Sequence, residues 1–253
     1  MRRLLLASCI ALASLSGCAS MGGASSSDIA AVLASPSRSA DDRQRDARDK
    51  PAEVLALAKF KRGDTVADIL AGGGYYSEIL SGIVGPDGKV LLVNNPGYDA
   101  FGKKGYTERL ANNRLPNVTH VVGPSDALGI GEGVLDGAVI VMSYHDLYWV
   151  DDKMGWPKVD AGRFLDQVVR ALKPGGVLLV VDHSAKQGTG SAAAQDLHRI
   201  DEQFAIADFR RHGLQWEAAI PVLRNADDDR SKNVFDPAIR GKTDRFVHLY
   251  RKP

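Results

Sequence analysis

Short apolar stretches alternate with amphipathic stretches along most of the chain. Near-continuous apolar runs with the length of buried strands occupy residues 65–70, 89–93, 118–122, 136–143 and 177–182. Helical spacing of apolar residues follows at residues 75–83, 107–114 and 161–172. Strands and helices that alternate in this way predict a parallel sheet covered by helices on both faces.

The last part of the chain has a different pattern. A helix is predicted at residues 200–212, followed by strands at residues 214–223 and 245–251. The polar segment between these two strands, residues 224–244, is long for a hairpin connection. Loops of that length commonly cover or contact a ligand.

Three consecutive glycines directly follow the first predicted strand. Gly72, Gly73 and Gly74 stand between that strand and the helix at residues 75–83. Because glycine has no Cβ, the backbone can turn sharply and approach a ligand closely, and the following helix presents unpaired N–H groups. The turn is therefore a candidate site for a polar or anionic ligand, although glycine turns after strands also serve packing alone.

The first 18 residues have the order of an export signal. Positive charge at Arg2 and Arg3 precedes the apolar run 4–15, which is too short to span a membrane, and small residues lead to Cys18. The segment resembles a bacterial lipoprotein signal, in which the final cysteine of a four-residue box is lipidated. This predicts a signal peptide at residues 1–17 and an exported chain, anchored through Cys18 to a bacterial membrane and facing the periplasm. Cleavage by the ordinary signal peptidase would leave Cys18 without that role.

Composition and charge narrow the function classes. The formal net charge of +1 provides no field that would attract nucleic acid or an anionic membrane. Cys9 would leave with the signal peptide and Cys18 would carry lipid, which excludes a disulfide, cysteine catalysis and a cysteine-based zinc site. Membrane attachment is therefore expected only through Cys18.

The chain after the signal divides into two parts. Residues 18–45 are small and polar at first and then dense in Asp and Arg, which is typical of a tether followed by a solvated charged segment. The alternative for the charged segment is a lid whose arginines reach a ligand carboxylate. Residues 46–253 are expected to form one α/β domain.

Three motifs together resemble the class I S-adenosylmethionine-dependent methyltransferases. They are Val-x-Asp-x-x-x-Gly-Gly-Gly at residues 66–74, Gly-x-Val at residues 88–90, and Leu-Lys-Pro-Gly-Gly at residues 172–176. Within that family the chain resembles an exported bacterial group of predicted methyltransferases. The resemblance implies a doubly wound, Rossmann-like α/β fold, whose seven-stranded, mostly parallel sheet has the order 3-2-1-4-5-7-6 and an antiparallel last strand. It also implies S-adenosylmethionine as the cofactor and methyl transfer to a small molecule.

The resemblance assigns cofactor contacts by position. Asp68 and the glycine turn match the motif that holds the methionine moiety and ribose, and Asp126 with Ala127 matches the position that meets adenine. Asn94 stands where the family has an acid that accepts hydrogen bonds from both ribose hydroxyls, and Leu70 replaces the first glycine of the motif. These two departures keep a second hypothesis open, a non-catalytic binding protein on a degenerate methyltransferase fold.

Two histidines are candidate proton acceptors. His145 and Asp146 follow the fourth strand, and Asp182 and His183 end the fifth, so two His-Asp pairs meet at the edge where open α/β sheets bind ligands. A neutral histidine there can take the proton of an oxygen or nitrogen nucleophile while a carboxylate orients its ring. We therefore predict His145 as the base, oriented by Asp146, with His183 as the second candidate. Methyl transfer can also proceed without a base, because in-line placement of the nucleophile and the methyl donor can be enough.

A metal-dependent enzyme on the same fold is a further alternative. Two histidines and two aspartates are adequate ligands for zinc, manganese or iron. The layout resembles metal-dependent catechol-type O-methyltransferases, which have Asp-Asn after the fifth strand where this chain has Asp182-His183. Adjacent side chains on a strand point to opposite faces, so all four ligands are not expected to converge, and no metal ligand is predicted. The methyl acceptor and the oligomeric state are left open.

Overall fold

Seven strands form one sheet in the computed structural model, which describes residues 22–253. They are β1 Thr65–Ile69, β2 Lys89–Asn94, β3 Val118–Val122, β4 Leu135–Val141, β5 Leu172–His183, β6 Gln215–Ala219 and β7 Arg245–Arg251. The strand order is β3-β2-β1-β4-β5-β7-β6. Strands β1 to β5 pair in parallel, and β7 is antiparallel to both of its neighbours. The predicted Rossmann-like topology is confirmed, whereas Cys18 lies outside the described residues.

Helices flank the sheet on both sides. They are α1 Ser26–Leu33, α2 Ala40–Asp49, α3 Pro51–Ala56, α4 Tyr75–Val84, α5 Pro96–Leu110, α6 Ala161–Ala171, α7 Ala193–Leu197 and α8 Glu202–Arg211. Short 3₁₀ turns lie at Ala111–Asn113, His145–Tyr148 and Asp152–Met154. Among the described residues, no helix combines the length and apolarity needed to cross a membrane.

Helix α5 begins directly after β2, whereas its apolar spacing in the sequence predicts a start at residue 107. The Asn95 side chain accepts a hydrogen bond from the Tyr98 N–H, and Pro96 occupies the first helical turn, which are strong signals for a helix start. Glycines at 97, 102 and 105 weaken the helical pattern in the sequence. A tertiary contact explains Gly102 and Gly105, because this part of the helix packs backbone to backbone against the turn after β1.

The core lies in two layers, one on each face of the sheet. In β5, Leu178 and Val180 pack in the layer that contains α6 and α8, while Leu179 and Val181 pack in the layer that contains α1, α3 and α4. A strand buried on both faces has no position for a solvated side chain. This is why the central strands read as continuous apolar runs in the sequence.

From residue 22 onward, the N-terminal segment forms helices that pack on the rest of the domain, whereas a tether and a solvated stretch are expected within residues 18–45. Helix α1 starts with a capping box between Ser25 and Asp28, and its Ile29 is completely buried. Helix α2 runs through residue 46, so the predicted domain boundary falls inside a helix. The segment is ordered because its alternating charges face partners that are distant in the sequence.

Buried ion pairs connect α2 to the rest of the protein. Asp42 accepts hydrogen bonds from Arg109 of α5 at 2.7 and 2.8 Å, and Asp49 accepts one from Arg245 of β7 at 2.8 Å. Burial alone would raise the pKa of Asp49, but Arg48, Arg45 and Arg245 outweigh it and hold the pKa well below its usual range. The Asp-Arg pattern is therefore a structural contact, and its arginines do not line the cavity described below.

We expect Asp49→Asn to lower the free energy of unfolding by about 3 kcal/mol near neutral pH, because buried guanidinium groups lose their carboxylate partner. Denaturant-induced unfolding measures the change. The matched control is Asp41→Asn in the same helix, where an exposed side chain is replaced and the change stays within about 0.5 kcal/mol.

The effect of Asp49 also has a defined pH dependence. Its folded-state pKa is below the unfolded value of about 4, so its contribution is complete above that value and is lost as the pH falls toward the folded-state pKa. The difference between wild type and Asp49→Asn should therefore shrink when unfolding is measured near about pH 3. A difference that is the same at both pH values would contradict this assignment.

Candidate functional site

A cavity of about 480 Å³ opens at the carboxyl ends of the parallel strands. It is lined by residues that follow successive strands: Leu70 after β1, Asn95 after β2, Asp126 after β3 and Asp146 after β4. Open α/β sheets bind ligands at this edge, and the volume is in the range of small-molecule sites. The cavity is therefore the candidate ligand site.

Aromatic and charged side chains of both signs line the cavity. The Trp149 and Trp156 rings lie 5.5 Å apart, and the Tyr98 ring packs edge-on against Trp156 at 5.1 Å. Lys158, Asp160 and Arg163 line the cavity with exposed side chains. This combination suits a ligand that carries a flat ring and polar or charged groups.

Leu70 keeps the backbone conformation of the glycine that it replaces. Its φ is +54°, in the left-handed region that costs a non-glycine residue roughly 1–2 kcal/mol. The side chain is 4% exposed, joins the core and forms part of the cavity floor. The departure from the family motif thus preserves the turn and adds an apolar surface beneath the ligand.

The glycine turn itself is covered by α5 and does not line the cavity. A Cβ at Gly102 would lie 2.2 Å from the carbonyl carbon of Gly72, and one at Gly105 would lie 2.9 Å from the Cα of Gly73. Arg109 Nε donates a hydrogen bond to the Gly73 carbonyl at 2.9 Å. Helix backbone therefore lies against this turn, and the cofactor contact of Gly72, Gly73 and Gly74 stays a prediction.

Asn94 and Asp68 also lie outside the cavity lining, and their cofactor contacts stay predictions. The fully buried Asn94 accepts a hydrogen bond from the Gly72 N–H at 2.9 Å and donates one to the Gly72 carbonyl at 3.1 Å. A carboxylate cannot donate, so this pairing explains why asparagine replaces the family's acid. Asp68 accepts from the Ser77 hydroxyl at 2.7 Å, and burial raises the pKa of Asp68 to about 6. Asn95, one residue further on, takes the position at the cavity wall.

Of the two residues predicted to contact adenine, Asp126 lines the cavity and Ala127 does not. Asp126 lines it with an exposed side chain, and Asn95 Nδ2 donates to the neighbouring Ser125 hydroxyl at 3.1 Å. Ala127 is not part of the lining, and its N–H donates to the Pro124 carbonyl at 2.8 Å within a tight turn. The loop after β3 therefore offers one carboxylate and one hydroxyl to a ligand.

His145 lies in a buried cluster of imidazoles and carboxylates behind the cavity wall. Its Nδ1 is 2.7 Å from Asp182 Oδ1, and its Nε2 is 3.2 Å from Asp146 Oδ1. His198 Nδ1 is 3.3 Å from the same Asp146 oxygen. The Tyr98 hydroxyl donates to the other oxygen of Asp146. Of the three predicted catalytic residues, the structure brings His145 and Asp146 together.

The electrostatics of this cluster argue against His145 as a base. Burial alone would lower the pKa of His145, but the carboxylates of Asp146 and Asp182 outweigh it and raise the pKa to about 10. Unless another cation lies beside it, the imidazole carries a proton on both ring nitrogens at neutral pH. Neither nitrogen then has a lone pair that can accept a proton from a substrate. A base at His145 would require one of these ring protons to be lost first, and the role of His145 stays a prediction.

His183, the second predicted base, lies beside His145 with their ring centroids 5.8 Å apart, but its Nδ1 has a different partner. Its Nδ1 is 2.7 Å from Thr243 Oγ1, and it does not line the cavity. Burial and then repulsion from His145 lower the pKa of His183 well below its ordinary value, so this ring is neutral. The alternation of side chains along β5 separates His183 from Asp182, as expected from strand geometry.

His198 is the site residue that sequence reasoning missed. It ends α7 in a left-handed conformation with φ of 52°, and no motif surrounds it. A bridge between Ser184 and Ile200 brings this part of the chain beside the end of β5. The signal in the sequence is a polar aromatic residue two positions before the apolar bridge residue Ile200, which does not distinguish a site from a surface position.

Comparisons with curated proteins give two similar relatives. Ubiquinone/menaquinone biosynthesis C-methyltransferase UbiE from Pasteurella multocida is 29% identical over 133 residues, which are 52% of this chain and 44% of that protein. The protein of the same name from Teredinibacter turnerae is 26% identical over 148 residues, which are 58% of this chain and 54% of that protein. The chain thus matches about half the length of these relatives, and no protein-family profile matches it.

Solved structures with the same fold cover most of the chain. A SAM-dependent methyltransferase from Aquifex aeolicus has a TM-score of 0.60 at 19% identity and covers 90% of this chain and 98% of its own. An arsenic(III) S-adenosylmethionine methyltransferase from Chlamydomonas reinhardtii has a TM-score of 0.52 at 15% identity, covering 88% and 72%. Fibrillarin from Aeropyrum pernix, solved with S-adenosyl-L-methionine bound, has a TM-score of 0.50 at 14% identity, covering 79% and 74%. The chain therefore has the fold of the class I S-adenosylmethionine-dependent methyltransferases, to which its relatives and structural neighbours belong.

Proposed function

We propose that this protein is an S-adenosylmethionine-dependent methyltransferase that acts on a small molecule. The observation that carries the proposal is the cavity of about 480 Å³ on a methyltransferase fold, lined by residues that follow β1, β2, β3 and β4. A cavity of this size is in the range of small-molecule and cofactor sites. The net charge of +1 agrees with a small-molecule substrate.

The lining residues fit the adenosine part of the cofactor. Asn95, Ser125 and Asp126 supply hydrogen-bond donors and acceptors on one side, and the side chain of Leu70 supplies an apolar surface. The covered glycine turn does not fit the methionine part as the resemblance implies. Lys158 and Arg163 also line the cavity and are suited to bind its carboxylate.

The bound cofactor would supply an electrophilic methyl group, and the residues of this chain would bind and place the acceptor. Trp149 and Trp156 form a flat apolar wall that suits an aromatic acceptor. The names of the two UbiE relatives place them in ubiquinone/menaquinone biosynthesis, which supports an aromatic ring as the acceptor class. Since His145 is held as a cation by two carboxylates, catalysis would depend on placement and not on proton transfer to that ring.

A non-catalytic binding protein on the same fold is the second candidate function. The packing of α5 across the glycine turn favours it, because the element that the family uses for its cofactor is closed here. Such a protein would hold a small molecule in the same cavity without methyl transfer. Cofactor affinity distinguishes the two candidates directly.

We expect the purified full-length chain to bind S-adenosylmethionine and S-adenosylhomocysteine with micromolar affinity in calorimetric titration. Asp126→Ala should weaken both by about tenfold, because a charged hydrogen-bond acceptor at the cavity is lost. The matched control is Asp87→Ala, an exposed carboxylate in the turn before β2 at the opposite edge of the sheet, which should leave the affinity unchanged. Folded protein that binds neither ligand would rule out the methyltransferase proposal and favour the binding protein.

We also propose that the chain is exported and anchored by lipid at Cys18, on the support of the signal-like order of residues 1–18. In a bacterial host, the wild-type protein should then be recovered in the membrane fraction, and Cys18→Ala should not carry lipid. Metabolic labelling with a fatty acid measures this change. Cys9→Ala, inside the apolar run, is the control that should retain the label. Equal labelling of wild type and Cys18→Ala would exclude this anchor.

A further inference from the structure

Two imidazoles and one carboxylate meet behind the inner wall of the cavity. Their nearest ligand atoms, on His145, Asp146 and His198, all lie within 4.8 Å of one another. Asp146 Oδ1 is 3.2 Å from His145 Nε2 and 3.3 Å from His198 Nδ1. Ligand atoms about 2.1 Å from a common zinc ion at angles between octahedral and tetrahedral are separated by about 3.0–3.4 Å, so both distances match shared coordination.

We propose that His145 Nε2, Asp146 Oδ1 and His198 Nδ1 form a binding site for a divalent transition metal. Two imidazole nitrogens and one carboxylate oxygen are the donor set of catalytic zinc and of non-haem iron(II) sites. Three protein ligands leave at least one coordination position open. The site differs from the four-residue set considered from the sequence, because His198 replaces His183 and Asp182 acts through His145.

The groups around the three ligands orient them toward a common point. Asp182 is fully buried and holds His145 Nδ1 at 2.7 Å, which directs Nε2 to the opposite side of the ring. The Tyr98 hydroxyl occupies Asp146 Oδ2 and leaves Oδ1 for the two imidazoles. Histidines that bind metals nearly always donate their other N–H to a carboxylate or carbonyl, as His145 does here. A pair of surface histidines beside an acid would have no such support.

The surroundings also connect the site to the cavity wall and cover His198. Asp146 and Tyr98 both line the cavity, so the carboxylate ligand of the site belongs to the cavity wall as well. The rings of Trp149 and Phe235 lie 4.9 and 5.0 Å from the His198 ring. The ligand class that this arrangement favours is a small molecule with an oxygen donor, such as a phenol or a carboxylate.

The long loop between β6 and β7 takes part in this cover. Its Phe235 contacts the His198 ring, its Val234 N–H donates to the Leu197 carbonyl at 3.2 Å, and Asn233 Nδ2 donates to the Asp196 carbonyl at 2.7 Å. The loop therefore holds the segment that carries His198 in place. This gives the loop a defined role in the site, which its length alone suggests only in general terms.

The test is calorimetric titration of Zn²⁺ into the full-length chain, prepared without a histidine tag and stripped of metal with a chelator. We expect one zinc ion per chain, bound with submicromolar affinity. His198→Asn should weaken binding by at least about 100-fold, because it removes a ligand while asparagine tolerates the left-handed backbone. The matched control is His183→Asn, a neighbouring imidazole outside the set, which should stay within about threefold of wild type.

A second variant and a spectrum keep the test decisive. Asp182→Asn should weaken zinc binding by about tenfold, since it alters the outer partner and leaves all three ligands. Co²⁺ bound to the wild-type chain should show visible absorption bands distinct from those of hydrated cobalt. If His198→Asn does not fold by circular dichroism, this spectrum and Asp182→Asn decide the question.

Three results would overturn the metal site. They are folded wild-type protein that binds no zinc, folded His198→Asn that binds zinc as tightly as wild type, and a cobalt spectrum identical to that of the hydrated ion. Each would leave the cluster as a set of buried ion pairs. The measurements use neither cofactor nor methyl acceptor, so a failure of the metal site and a failure of the proposed methyltransferase activity are distinguishable.

Discussion

The guanidinium group of Arg109 joins the parts of the structure on which the site depends. It extends from α5, donates to Asp42 of α2 and to Glu78 of α4, and its Nε donates to the Gly73 carbonyl. Its side chain is only 14% exposed, so these contacts are shielded from solvent and depend strongly on complete pairing. A single side chain thus ties the charged N-terminal segment, the helix after β1 and the glycine turn to α5.

The contacts of Arg109 also determine where the cavity lies. Helix α5 lies across the turn, so Gly72 and Gly73 pack against helix backbone. The Asn94 side chain forms hydrogen bonds with both the N–H and the carbonyl of Gly72. The accessible space begins further along, where Leu70, Asn95 and the two tryptophans form the walls. A ligand in this cavity would contact the end of β2 and the aromatic side chains.

The cluster behind the cavity shows how burial changes the chemistry of familiar side chains. A histidine between two carboxylates in a low-dielectric environment has a raised pKa and is held as a cation, and a second histidine beside it has a lowered pKa and is held neutral. A metal ion in the same place would replace the proton on His145 Nε2 as the positive charge between the ligands. Either way, Asp182 fixes the orientation of His145 from a completely buried position.

The sequence by itself determined which segments form the parallel strands, and its motifs determined the fold that gives their order. Apolar runs mark strands buried on both faces, and the Leu-Lys-Pro-Gly-Gly and triple-glycine motifs resemble those of the family, because these are local patterns that each segment carries alone. It also placed His145 and Asp146 after β4, at the edge where the cavity opens. Tertiary structure alone decided the rest: which face of α5 covers the glycine turn, which charges of α2 are buried, and that His198 approaches Asp146 from a distant segment. Those outcomes depend on contacts between residues far apart in the chain, and no local pattern encodes the partner of a buried charge or of a packed glycine.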